Sequence, residues 1–150
     1  PNIVAFGKAC ELANRNLREN SEFVKSLRDK FENRVAEKIS QIAFNGNREN
    51  RLPNISNISF KFIEGEGLLI NLDMQGVAVS TGSACSSGSL EPSPVIRALG
   101  RNDELARGAI RFSFGKENTE EDVNYTLEIL PKAVENLRRL SPLYQQVCAK

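Results

Sequence analysis

Ile58-Ser59-Phe60-Lys61-Phe62-Ile63 places apolar and polar side chains in alternation, the period-two pattern of a half-buried β-strand. A second run of this kind, Ala109-Ile110-Arg111-Phe112-Ser113-Phe114, stands further along the chain. Outward from these runs the period changes to that of a helix. Apolar or small residues fall at Phe6, Cys10, Ala13 and Leu17, then at Val24, Leu27, Phe31, Val35, Ile39 and Ile42, a stripe interrupted at Asn20. Thr119-Glu120-Glu121-Asp122 has the chemistry of an N-cap followed by an acidic first turn. From there Val123, Leu127, Leu130, Val134, Leu137 and Leu140 carry a second stripe to Ser141-Pro142, with Pro131 expected to kink the helix rather than end it. The combination predicts an α/β fold, a short sheet packed with helices and preceded by a long N-terminal helix.

A helix of about 40 residues is roughly 60 Å long at 1.5 Å per residue, more than a compact globule of this size can cover. Either it breaks near Asn20-Ser21, with Ser21 capping a second helix, or its first half lies on protein absent from this chain or on a second subunit. Absent protein is the expectation taken here. Asn45-Gly46-Asn47 and Leu52-Pro53-Asn54 read as loops and Glu64-Gly65-Glu66-Gly67 as a turn. Leu68 to Met74 reads as a short helix, and Val77-Ala78-Val79 as a brief strand buried on both faces. After Pro92 and Pro94 a short helix should stop at Gly100, where a left-handed cap is easily accommodated.

Composition narrows the classes of function. With 20 Lys and Arg against 19 Asp and Glu, the 150 residues carry a formal charge of +1, too little for a nucleic acid or an anionic membrane to be the main partner. No apolar run approaches the roughly 20 residues of a membrane span. The three cysteines, Cys10, Cys85 and Cys148, match neither a secreted disulfide framework nor a zinc motif, which points to a reducing cytoplasm. The absence of histidine excludes a Ser-His-Asp or Cys-His couple within the chain.

Ser80-Thr81-Gly82-Ser83-Ala84-Cys85-Ser86-Ser87-Gly88-Ser89 is the unusual segment, made of small residues with little to bury. On composition Cys85 is either an exposed thiol on a flexible loop or a nucleophile that travels on a tether. Arg111, expected to be partly buried, either pairs with an internal Asp or Glu or grips a substrate carboxylate. Cys10 reads as a small core residue on the first stripe, and Cys148 as incidental to a frayed end.

The string from Ser80 to Ser93, together with Arg97-Ala98-Leu99-Gly100 and Ile110-Arg111-Phe112-Ser113-Phe114-Gly115, resembles the NifS/IscS-type cysteine desulfurases, class-V aminotransferase-like enzymes of the pyridoxal phosphate fold type I. The long Gly-Ser loop is similar to the class with an extended catalytic loop. The resemblance implies that residues 1–43 are a linking helix or helix pair from the large domain. Residues 44–150 would then be the small C-terminal domain, carrying the catalytic-cysteine loop at 80–93. It further implies that Cys85 takes sulfur from L-cysteine as a persulfide, with release of L-alanine, and that Arg111 holds the substrate carboxylate. The enzymes it resembles are pyridoxal phosphate-dependent homodimers that pass sulfur to an iron-sulfur scaffold or a tRNA-thiolating protein. The family's Schiff-base lysine lies upstream of the matching region. None of Lys8, Lys25, Lys30, Lys38, Lys61, Lys116, Lys132 or Lys150 stands in the matching motif, so the chain is expected to be an inactive part of such an enzyme, without cofactor of its own. A free-standing persulfide carrier without cofactor is the alternative.

Overall fold

A computed structural model describes residues 1–81 and 92–148. In chain order the elements are α1 (Asn2–Lys38), β1 (Ile42–Phe44), β2 (Ile55–Phe60), α2 (Gly65–Asp73), β3 (Ser80–Thr81), α3 (Pro94–Ala98), α4 (Asp103–Arg107), β4 (Ala109–Ser113), α5 (Glu120–Leu140) and α6 (Pro142–Cys148). The strands form one sheet in the order β1-β2-β4-β3, and every neighbouring pair is antiparallel. The expected α/β architecture of a short sheet packed with helices is observed. One face of the sheet presents Ile58, Phe60, Ile110 and Phe112 to α1, α2 and α5, which return Phe31, Leu72 and Leu130 among others to a single core.

α1 is one unbroken helix, so Asn20-Ser21 is not a break. Its apolar stripe divides into two parts. Val24, Leu27, Phe31 and Val35 are buried, whereas Ile3, Phe6 and Leu17 are exposed, and so is Cys10, contrary to its expected core position. Each fully buried large apolar side chain contributes about 1.5–3 kcal/mol. The first half has only surface pairs such as Lys8–Glu11 and Arg18–Glu22, worth about 0.3–0.5 kcal/mol each, so continuity with the packed half holds it helical.

Other boundaries also moved. α1 stops at Lys38, and Ile42, read as helical, begins the edge strand β1. A turn with Gln41 at φ 56 separates the two. β2 starts at Ile55 and leaves the sheet after Phe60, because Phe62 adopts φ 69 and packs its ring on Tyr144 at 5.6 Å. Ile58 and Phe60 keep their inward parity. Val77-Ala78-Val79 is not a strand, and Ala78 is exposed; pairing begins only at Ser80. α4 was not anticipated, although Asn102 caps it by accepting a bond from the Leu105 N–H. Gly100 has the expected left-handed φ of 80, and α5 has the full capping box between Thr119 and Asp122 and runs through Pro131 without ending.

Two buried charges fasten the helices to the sheet. Glu32 of α1 is fully buried and accepts both guanidinium nitrogens of Arg51, at 2.7 and 2.6 Å, and the Ser56 hydroxyl at 2.7 Å. Burial raises its pKa, but the bonds from Arg51 and Ser56 and the charges of Arg51 and Arg48 outweigh that and hold the carboxyl below its ordinary 4.5. Arg138 of α5 is buried, donating to the backbone oxygens of Lys61, Ser40 and Gln41, with its guanidinium 5.8 Å from the centroid of the Tyr144 ring. It thereby ties both chain reversals, after α1 and after β2, to α5. Burial lowers its pKa, partly countered by Tyr144, yet a guanidinium remains charged.

Glu32→Gln is expected to cost about 3–5 kcal/mol at pH 7 in urea denaturation, because Arg51 loses its buried counter-charge. The folded pKa is depressed, so the native carboxylate's contribution is complete above the ordinary value and fades as pH falls through the folded one. The difference between the two proteins should therefore shrink in acid, and equal stability at pH 7 would contradict the role given to Glu32. Gly108 provides a second check: a Cβ there would lie 2.1 Å from the Phe60 carbonyl oxygen and 3.1 Å from that of Ile63, both backbone atoms. Gly108→Ala should lower stability by about 1–3 kcal/mol or more. Gly7→Ala, in open space on α1, should instead raise helix stability by up to about 1 kcal/mol, and thermal melting distinguishes the two.

Candidate functional site

Strand alternation turns Ile55, Asn57 and Ser59 of β2, and Ala109, Arg111 and Ser113 of β4, to the face opposite the main core. α3 and α4 cover one part of that face through a small cluster of Ile96, Ala106 and Ala109. The rest is open and polar. Asn57 stands directly opposite Arg111 on one side, and Ser80 stands opposite it on the other. The Asn45 N–H donates to the Asn57 carbonyl at 2.9 Å, which extends the pairing beyond β1. Asn45, Asn57, Arg111 and Ser80 thus form a row across all four strand lines.

Arg111 is exposed rather than partly buried, and among the described residues its side chain makes no ion pair or hydrogen bond. Among the described residues no Asp or Glu pairs with it. A guanidinium presents a planar fork of donors suited to a carboxylate or phosphate, and here the fork is available. Its neighbours are neutral: the Asn57 amide and the hydroxyls of Ser80 and Ser113. An anion reaching Arg111 therefore meets no repelling charge in this row.

A second network supports the row from behind. Arg101, between α3 and α4, donates from Nε to Asn45 Oδ1 at 2.9 Å and from Nη2 to the Phe44 carbonyl at 2.7 Å. Asn45 Nδ2 in turn donates to Asn57 Oδ1 at 2.7 Å and to Ser59 Oγ at 2.8 Å. Asn45 and Ser59 are buried, Asn57 is half-buried and Arg111 is exposed, so the network rises from the interior to the surface.

Cys85 lies outside the described residues. Thr81, the last described residue before it, is on β3, the strand that pairs with β4 beside Arg111. Clefts of about 350 Å³ near the start of α5 and about 650 Å³ between the β2–α2 turn and α6 are lined by residues other than Arg111. Among the described residues β1 to β4 contain no lysine, although Lys61 directly follows β2. Lys30 and Lys38 bind to α5, and Lys8, Lys116 and Lys132 pair with acids nearby in sequence. Asn45, Asn57 and Arg101 escaped the sequence reading. Asn57 and Ser59 do carry a signal, since they alternate with Ile58 and Phe60, but which β4 residue they face depends on register.

Comparison with known proteins places this geometry in a family. The class-V aminotransferase model matches residues 1–126. A cysteine desulfurase IscS of Dictyoglomus turgidum is 50% identical over 144 residues, covering 96% of this chain and 36% of the relative. A cysteine desulfurase of Gluconacetobacter diazotrophicus is 45% identical over 149 residues, covering 99% of this chain and 37% of the relative. Among solved structures, a NifS-like protein of Rickettsia africae superposes with a TM-score of 0.75 at 27% identity, over 87% of this chain and 33% of its own. The chain spans little more than a third of the length of the curated relatives it matches. On the family model and these matches together, the chain belongs to the class-V aminotransferase family, on a branch whose close relatives are named cysteine desulfurases.

Proposed function

We propose that the chain is the C-terminal part of a pyridoxal phosphate-dependent cysteine desulfurase, in which Arg111 binds the carboxylate of L-cysteine and Cys85 accepts its sulfur. The observation that carries this reading is the exposed Arg111, unpaired among the described residues, at the centre of a neutral polar row, on the strand next to the one that leads to Cys85. A free guanidinium beside amide and hydroxyl groups suits a carboxylate in a bidentate grip. In the net reaction the carbon–sulfur bond of cysteine breaks and a sulfur–sulfur bond forms on Cys85. The electron pair left on the β-carbon takes up a proton, so alanine departs and no external oxidant is required.

The described residues fit the substrate side of such a site and not the anchor of its cofactor, since no lysine lies in β1 to β4. Pyridoxal phosphate, when bound, supplies the electron sink for bond cleavage. We assign its Schiff-base lysine to a large domain outside this chain, which accords with the coverage of little more than a third of the relatives. The exposed Ile3, Phe6 and Leu17 of α1 give that domain an apolar surface to cover. On this reading the isolated chain does not turn over cysteine. The complete enzyme works as a cytoplasmic homodimer, and its persulfide passes to an iron-sulfur scaffold or another sulfur acceptor.

In the complete enzyme, Cys85→Ser is expected to abolish alanine formation from L-cysteine without altering the melting temperature. An unchanged rate would remove Cys85 from the reaction. Arg111→Ala should raise KM for L-cysteine on the order of tenfold to a hundredfold, the loss of a charge-assisted bond pair, with a smaller change in kcat. Steady-state kinetics decide this, and an unaltered KM would refute the carboxylate role.

A further inference from the structure

We infer that Asn57 is a second carboxylate-binding residue beside Arg111, and that Arg101 and Asn45 are positioning residues that aim its amide; this rests on the carboxylate reading of Arg111 given above. The argument is one of donor and acceptor polarity. Arginine donates and never accepts, so the Arg101 Nε–H fixes Asn45 Oδ1 as the acceptor end of that amide. The Asn45 Nδ2 group must then donate, and it does so to Asn57 Oδ1 at 2.7 Å and to Ser59 Oγ at 2.8 Å. The Asn57 oxygen is thereby occupied, and its Nδ2 donors are left as the free end of the relay. Among the described residues Asn57 Nδ2 has no partner.

That free end is in the right place. Asn57 and Arg111 are directly opposed across β2 and β4, so their Cβ atoms are about 4.5–5.5 Å apart on one face. A carboxylate in the guanidinium fork has lone pairs to spare, and an amide N–H alongside can take one of them. Were the Asn57 amide reversed, its oxygen would face the carboxylate and repel it. The relay excludes that orientation, because Asn45 would then meet an N–H with its own N–H. Burial of Asn45 makes such a mismatch costly, since water cannot replace the lost bond. Asn57 and Arg111 therefore present donors only to an incoming carboxylate, with a relay three residues deep from Arg101 to Asn57 behind them.

The test uses the complete holoenzyme and calorimetric titration with L-alanine, which carries the carboxylate, and ethylamine, which does not. Asn57→Ala should weaken L-alanine on the order of tenfold and leave ethylamine unchanged. Asn57→Asp is nearly isosteric and still accepts from Asn45, but it places a carboxylate beside Arg111, so it should weaken L-alanine at least as much. Asn45→Asp touches no ligand. It still accepts from Arg101 but can no longer donate, which draws the Asn57 N–H towards itself, and L-alanine alone should again bind more weakly. Equal weakening of both ligands would mean that Asn57 serves the fold only, and would overturn the inference. Unchanged L-alanine affinity in the Asn57 variants, alongside weakening in Arg111→Ala, would also overturn it while leaving the desulfurase reading intact. If Arg111→Ala too leaves L-alanine unaffected, both readings fall.

Discussion

The register of β2 against β4 is the constraint on which the rest of the molecule depends. Ile58 faces Ile110 and Asn57 faces Arg111 in the central pair of the sheet, so the same alignment that packs the core also sets the polar row on the opposite face. Side-chain direction alternates with every residue, so a slip of one position would drive Arg111 into the core and turn Ile110 and Phe112 to water. Gly108 adds a steric lock. It sits where the Phe60 carbonyl approaches too closely for any side chain, and its own carbonyl receives the Phe60 N–H at 2.9 Å. The lower end of the pair is fixed by backbone contact, and the alternation carries that decision along the strands to Arg111.

The two buried charges hold the frame around this pair by different means. Glu32 meets two arginines and a hydroxyl, so its desolvation is offset by opposite charge as well as by hydrogen bonds. Among the described residues Arg138 meets three carbonyl oxygens and the Tyr144 ring but no carboxylate, and it depends on their dipoles. Each joins a helix to a segment that flanks a strand: Glu32 joins α1 to the approach to β2, and Arg138 joins α5 to the turns after α1 and after β2. Both residues spend their charge internally. Arg111 does not: among the described residues its guanidinium has no partner and is open to an external anion.

Much of this was legible in the residues. Alternation in Ile58 to Phe60 and in Ala109 to Ser113 found the two central strands, and Thr119 with Asp122 announced the start of α5. The motif around residues 80–93 and 110–115 pointed to the desulfurase relatives later found by comparison. The misses have a common physical origin, which is that local pattern does not encode tertiary partners. Ile39 and Ile42 continue the helical period, yet the chain reverses between them because Arg138, distant in sequence, binds the carbonyls of Ser40 and Gln41. Phe62 continues the strand period but leaves the sheet to meet Tyr144. Cys10 lies on an apolar stripe that no other described element covers. Arg111, flanked by apolar neighbours, looked buried because their side chains turn inward while its own turns out. The Asn45–Asn57 relay depends on the register and on Arg101 at once, and neither can be read from a strand alone.

An exposed guanidinium in water binds a carboxylate weakly, because solvent competes for every bond and screens the charge. On the function proposed here, the open face of the sheet is half of a site. On that reading a second surface closes over Arg111, excludes water and makes the same contacts stronger, since a charge-assisted bond gains as the local dielectric falls. Fixed polarity in the Arg101–Asn45–Asn57 relay matters most under that closure. In water a reversed amide would be solvated at small cost, whereas beneath a dry lid it would set an oxygen against the substrate with no solvent to relieve it. The interior half of the relay is already built and buried in this chain, so the donors are aligned before any substrate or covering surface arrives. The orientation of Asn57 then need not be selected at the moment of binding, and the ordering cost has been met within the fold.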